Sequence, residues 1–249
     1  MIIDAHVHIS NRKIEGIPHA DVDSVVRYMD RAGVDKVIGF LYGAITLEDN
    51  IEFMKVIGPY KERITPYAWL DPGARDCKEQ LCFCMDELGM KGLKIHPLLS
   101  NFDLGDLKLM DPLMSEANRR KLHVIIHCTS NETLVDTSKV EKIAQNYPDC
   151  IIQLAHTGAI YDGNKAIAVA QRNPNVYLDT GCASMNCVRR AIEKVPEKVL
   201  MGCDWPSYTF HAEMMKVRDA CELAERADAY KMVCGENVFR ILNREDDYK

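Results

Sequence analysis

The sequence predicts a single α/β domain spanning residues 1–249, folded as a closed (β/α)8 barrel of the TIM type. Three observations carry this prediction. Eight short apolar runs alternate with longer segments of helical periodicity. The runs are rich in Ile, Val and Leu on both parities, as expected for strands covered on both faces. The chain has 249 residues, a length at which eight such units routinely close into one barrel.

The runs are IIDAHVHI (2–9), DKVIGFLY (35–42), RITPYAWL (63–70), KGLKIHP (91–97), HVIIHC (123–128), CIIQLAHT (150–157), NVYLDTG (175–181) and KVLMGCD (198–204). Helix signals separate them. Asp21 and Asp23 put carboxylates in the first turn of the first helix, and Gly33 follows its end. Val140, Ile143 and Ala144 mark a helix from Ser138 to Tyr147, closed by Pro148. Asn173-Pro174 and Val195-Pro196 stop the helices before runs seven and eight. A long helical tail is expected from about His211 to Asn243, interrupted near Gly235. The rival fold, an open doubly wound sheet, usually carries a glycine-rich phosphate loop after its first strand, where this chain has His6-Val7-His8. No linker, low-complexity segment or internal repeat argues for a second domain.

Composition narrows the function classes. The chain is 47% apolar, with net charge −6 and pI about 5.8, and no run of Lys and Arg gives it a nucleic-acid footprint. No apolar stretch reaches the ~18 residues needed to span a bilayer, and the opening MIIDAHVH lacks a leader pattern. There are ten cysteines but no CxxC pair; Cys82-x-Cys84 falls in a helical pattern. Cys128, Cys182 and Cys203 lie in apolar runs and are expected to act as small buried hydrophobes. These features predict a reduced, cytoplasmic protein that engages neither membrane nor nucleic acid.

Five of the eight histidines, His6, His8, His96, His127 and His156, fall at the C-terminal ends of runs, the reactive face of a parallel barrel. Each alone has an ordinary reading. A His-x-His pair arises often by chance, a histidine ending an apolar strand is more often a hydrogen-bonded core residue, and Asp204 could cap the next helix. Their joint placement is stronger. His6 and His8 share one strand face. Closure of the barrel brings strand eight, with Asp204, beside strand one, while His127 and His156 end consecutive strands. Three or four N/O ligands with an open position suit a catalytic divalent metal. Trp69 and Tyr42 could line the pocket, although core packing is the commoner role of each. Asp179 could hydrogen-bond a ligand histidine or cap a helix. His123 begins its strand and belongs to the stability face.

The sequence resembles the amidohydrolase superfamily, specifically its amidohydrolase-related group of metal-dependent hydrolases and decarboxylases. The match rests on Asp4-Ala5-His6-Val7-His8, Gly92-Leu93-Lys94-Ile95-His96-Pro97, Ile126-His127, Ala155-His156-Thr157-Gly158, Gly202-Cys203-Asp204-Trp205-Pro206 and the stretch from Gly235 to Leu242. The resemblance implies that His6, His8 and His127 bind the metal and that Asp204 binds it or contacts its water. It makes His156 a further ligand or the group that holds the water. Lys94 and His96 share one face of strand four. Lys94 could be a carboxylated bridge between two metals, but a single metal is favoured, with Lys94 and His96 contacting substrate or supporting the ligands, and Trp69, by its position, a further candidate for the substrate pocket. The related TatD-like deoxyribonucleases typically carry a glutamate in strand four, which this chain lacks.

The expected cofactor is Zn²⁺, with Mn²⁺, Fe²⁺ or Co²⁺ accepted by the same imidazole and carboxylate set. The expected reaction is hydrolysis of a small-molecule amide, lactone or ester, with Asp204 as proton shuttle and His156 orienting the nucleophile or stabilising an oxyanion. Non-oxidative decarboxylation of a small carboxylic acid is the alternative. A barrel that binds metal or ligand without catalysis is a third reading. The substrate class is a small molecule, with a carboxylate suggested by Lys94. Short βα loops imply an open mouth, or one completed by a second copy in a homo-oligomer.

Overall fold

The structure is a computed structural model that describes residues 1–10, 19–43, 45–128, 133–158 and 163–244. All eight predicted runs form strands: β1 (Ile3–Ile9), β2 (Lys36–Leu41), β3 (Ile64–Trp69), β4 (Gly92–Ile95), β5 (His123–Ile126), β6 (Ile151–Leu154), β7 (Val176–Asp179) and β8 (Val199–Leu200). They pair in parallel in sequence order. The β8 ladder is short, but the chain beyond it continues alongside β1. Ala5 N–H donates to the Met201 carbonyl (2.8 Å), Asp204 N–H to the His6 carbonyl (3.0 Å) and His8 N–H to the Trp205 carbonyl (3.0 Å). These bonds bring the two ends of the sheet together and give a nearly closed barrel.

Helices follow each strand: α1 (Val22–Ala32), α2 (Leu47–Ile57), α3 (Cys77–Asp86), α4 (Leu107–Arg119), α5 (Ser138–Asn146), α6 (Asn164–Arg172), α7 (Met185–Lys194) and α8 (Phe210–Leu223). Asp21 caps α1 by accepting from Ser24 N–H, and Gly33 ends it in a left-handed conformation (φ 72°), as its position predicts. Strand residues such as Val37, Ile38, Leu93, Val124 and Ile152 are fully buried, because the helices cover the outside and side chains fill the barrel. At the lower end, buried His123 bonds the Tyr67 hydroxyl through Nδ1 at 2.8 Å.

The C-terminal helical segment differs from its expected form. The interruption lies at residues 224–228, after α8, and not at Gly235. A second helical stretch runs through α9 (Ala229–Lys231), a π-turn (Met232–Glu236) and α10 (Asn237–Leu242). Gly235 sits inside the π-turn because the chain start packs against it: a Cβ there would stand 2.1 Å from the Met1 carbonyl oxygen. The glycine serves close approach and does not break the helix.

Candidate active site

The strand ends place His6, His8, Lys94, His96, His127, His156, Asp179 and Asp204 at one mouth of the barrel. The innermost group is His6, His8 and Asp204. Asp204 Oδ1 lies 3.3 Å from His6 Nε2 and 3.1 Å from His8 Nε2. Gly202 makes room for this approach, since a Cβ there would stand 2.9 Å from His6 Cβ. Asp204 caps no helix: α8 begins at Phe210 and is capped by Thr209.

Asp179 organises the ring. Its Oδ2 accepts from His6 Nδ1 (2.8 Å) and Gln153 Nε2 (2.8 Å); its Oδ1 accepts from the backbone N–H of His156 (2.7 Å) and Gly181 (3.2 Å). An ionised carboxylate only accepts, so His6 carries its proton on Nδ1 and turns the Nε2 lone pair inward. His156 is oriented in the same way, with Nδ1 donating to the Gly181 carbonyl at 3.0 Å. Its Nε2 faces His127 Nδ1 at 3.2 Å.

Lys94 is fully buried. Its Nζ stands 3.2 Å from His6 Nε2 and over the Phe40 and Trp69 rings, 5.0 and 6.0 Å from their centroids. Burial lowers its pKa to about 8, against the pull of Asp204 and Asp179. His96 and Trp69 stack (5.6 Å, 9°), and His96 stacks on His127 (3.9 Å, 10°). Trp69 is 1% exposed, and its indole N–H has no partner among the described residues. Tyr42 is 41% exposed, with its ring 5.3 Å from that of His8.

Burial dominates the electrostatics. It lowers the His6 pKa to about 4, reinforced by Lys94. It also lowers those of His8 and His127, and takes His96 to about 2. Burial works to raise Asp204, but its histidine neighbours, the hydrogen bond from His8 first among them, prevail and hold it well below the usual carboxylate range. At neutral pH His6, His8, His96 and His127 are therefore neutral imidazoles beside an ionised Asp204, the protonation state that metal coordination requires.

This donor set fits a divalent cation. His6, His8 and Asp204 offer ligand atoms within 4.8 Å of one another. Two N/O ligands on a tetrahedral Zn²⁺ stand about 3.3 Å apart, close to the Asp204–imidazole spacings. His127 joins none of the compact three-residue clusters among the described residues; it adjoins the site through His156.

Cys182 departs from its expected place. It lies beyond the end of β7 and is only partly buried, and its thiol donates to Asp204 Oδ2 at 3.2 Å. It is a polar neighbour of the site, not a core hydrophobe. Gln153 was likewise not legible as a site residue. Both sit at or near the ends of strands, a signal of position that apolar sequence surroundings hide.

The family sequence profile described as Amidohydrolase matches residues 3–244. No curated protein sequence matches the chain. Solved structures share its fold. An uncharacterised TIM-barrel protein from Bordetella bronchiseptica aligns with TM-score 0.79 at 16% identity, over 98% of this chain and 99% of that one. 5-Carboxyvanillate decarboxylase from Sphingomonas paucimobilis aligns at 0.76 and 15%, over 97% and 98%. A probable 2-pyrone-4,6-dicarboxylic acid hydrolase from Acinetobacter baumannii, with citric acid bound, aligns at 0.72 and 13%, over 97% and 99%. A dihydroxybenzoic acid decarboxylase from a Polaromonas species was solved with manganese, and an amidohydrolase from Burkholderia multivorans with zinc.

Proposed function

The chain belongs to the amidohydrolase family, and we propose that it is a metal-dependent hydrolase of a small, carboxylate-bearing amide, lactone or ester. The observation that carries this reading is Asp204 Oδ1 standing between His6 Nε2 and His8 Nε2. His6, His8 and Asp204 would hold the metal, with His127 and His156 completing its surroundings. Zn²⁺ is the preferred ion, and Mn²⁺, Fe²⁺ and Co²⁺ suit the same donors. A bound divalent ion supplies Lewis acidity, lowering the pKa of water and polarising a carbonyl or carboxylate.

The protein's own groups supply the remainder. Asp204, ionised at neutral pH, accepts the proton of the attacking water and passes it to the leaving group. His156, with Nδ1 engaged by Gly181, turns its Nε2 lone pair inward, either as a further ligand or as the group that holds that water. Lys94 remains largely cationic at neutral pH with its pKa near 8, and has the charge to hold a substrate carboxylate. Stacked His96 and Trp69 give a flat wall for an unsaturated substrate. Ten free thiols suit a reducing cytoplasmic compartment. Among the described residues no helix is long and apolar enough to cross a membrane.

Decarboxylation is the second reading, favoured by the decarboxylases among the structural neighbours. The same ligands and Lys94 would serve it, and release of CO₂ in place of a new carboxylate separates the two. The deciding experiment is metal analysis of the purified protein with turnover of wild type and Asp204→Asn. Asp204→Asn is expected to retain metal and lose most turnover, and full activity would remove the proton-shuttle role. A protein that takes up no divalent ion would end both catalytic readings.

A further inference from the structure

Asp204 presents its two oxygens to two different sets of donors. Oδ1 faces His6 Nε2 and His8 Nε2 at 3.3 and 3.1 Å. Oδ2 accepts from the Cys182 thiol at 3.2 Å. His156, Cys182 and Asp204 offer a second set of ligand atoms within 4.8 Å of one another, beside the set from His6, His8 and Asp204. The carboxylate is the member common to both.

The second set is also held in place. Cys182 and Asp204 adopt left-handed backbone conformations, with φ of 56° and 54°, which residues with a Cβ occupy uncommonly. Asp204 N–H is tied to the His6 carbonyl. His156 has its Nδ1 on the Gly181 carbonyl, one residue before Cys182, so its lone pair is on Nε2, which faces His127 Nδ1 at 3.2 Å and would turn to the ion. One thiol, one imidazole and one carboxylate oxygen make a three-ligand set with an open position, of the kind that binds a borderline-soft divalent ion.

We propose that His156, Cys182 and Asp204 Oδ2 form a second, thiolate-bearing metal position, with the Asp204 carboxylate bridging it to the position held by His6 and His8. The ion would be Zn²⁺ or another thiophilic divalent cation. Its binding displaces the Cys182 thiol proton to solvent, so that S–H is exchanged for S–metal and one proton is released. In metal pairs the ions sit about 3.5–4 Å apart, a spacing that a bridging carboxylate allows. The inference rests on the metal reading above and adds a soft second site to it.

The test is a Co²⁺ titration of the metal-free full chain, followed by equilibrium stoichiometry and absorption. Wild type is expected to bind two equivalents. Only one of them should bring a near-ultraviolet thiolate-to-cobalt charge-transfer band. Cys182→Ser is expected to bind one equivalent with no such band, while its thermal unfolding and its affinity for the remaining ion stay within about threefold of wild type. One equivalent without the band in both proteins would overturn the second site and leave the first intact. A band that survives in Cys182→Ser would also overturn it, assigning the thiolate to another cysteine. No cobalt binding by either protein would overturn both readings. The measurement is independent of turnover.

Discussion

The substitution Asp179→Asn tests how the site is built. It preserves shape and removes one charge from a residue that is fully buried. The two backbone donors, His156 N–H and Gly181 N–H, converge on Oδ1, so the amide oxygen takes that side and the NH₂ faces Gln153 and His6. Gln153 can turn its amide, giving up only a long 3.3 Å bond to the Ala5 carbonyl, because its Oε1 is buried without a partner. His6 has no such freedom. Its Nδ1 must accept from the new NH₂, and the ring proton moves to Nε2, the nitrogen that faces Asp204 and Lys94. The inward lone pair is then gone. Loss of the charge-assisted bonds should lower stability by about 1–3 kcal/mol. Loss of the correct tautomer should weaken metal affinity by about 10–100-fold, the range for a partner of a ligand histidine. Competition with a chelator of known affinity measures the second effect, and urea unfolding of the metal-free protein measures the first. An affinity within about threefold of wild type would refute the tautomer argument even if stability fell.

The remaining predictions concern stability. Glu213 on α8 is buried with Oε1 unpartnered, and burial raises its pKa from 4.5 to about 7 despite the Lys216 ammonium 2.9 Å away. A carboxyl whose pKa is raised on folding favours the folded state fully below the unfolded value and loses that advantage as pH rises through the folded one. Glu213→Gln should therefore match wild type near pH 4 and exceed it increasingly between about pH 4.5 and 7, by on the order of 3 kcal/mol at most; a pH-independent difference in urea midpoint would contradict this. Gly235→Ala should destabilise by about 1–3 kcal/mol, because its Cβ meets the Met1 carbonyl at 2.1 Å, and an unchanged melting temperature would show that the chain start yields freely.

The barrel was legible because strand order, apolar runs and helix stops all repeat eight times. The histidines and Asp204 were legible because the fold rule turns strand ends into neighbours. What stayed hidden depends on backbone direction after the strands end. Cys182 sits in the same apolar surroundings as Cys203, yet Cys203 is fully buried while Cys182 turns to Asp204. Asp179 reads equally as a cap or a partner until the Gly181 and His156 amides are seen to converge on it. Trp69 sits near a strand end, and only three-dimensional packing reveals that it is buried against His96. The helical break was misplaced because glycine signals both helix termination and close approach, and only the position of Met1 separates them.

Backbone strain at the mouth follows one pattern. His156, Thr157, Cys182 and Asp204 all have φ between 51° and 61°, each costing on the order of 1 kcal/mol for a residue with a Cβ. All lie just beyond β6, β7 or β8, where the chain would otherwise run on in extended form and carry its side chains away from the barrel axis. Asp179 holds most of them: its carboxylate takes the His156 and Gly181 amides, and its carbonyl accepts from Thr157 Oγ1 at 2.6 Å. The residue that sets the His6 tautomer thus also fixes the turns that present His156 and Cys182. Substitution at Asp179 should therefore disturb both ligand sets together, whereas substitution at Cys182 should disturb only one.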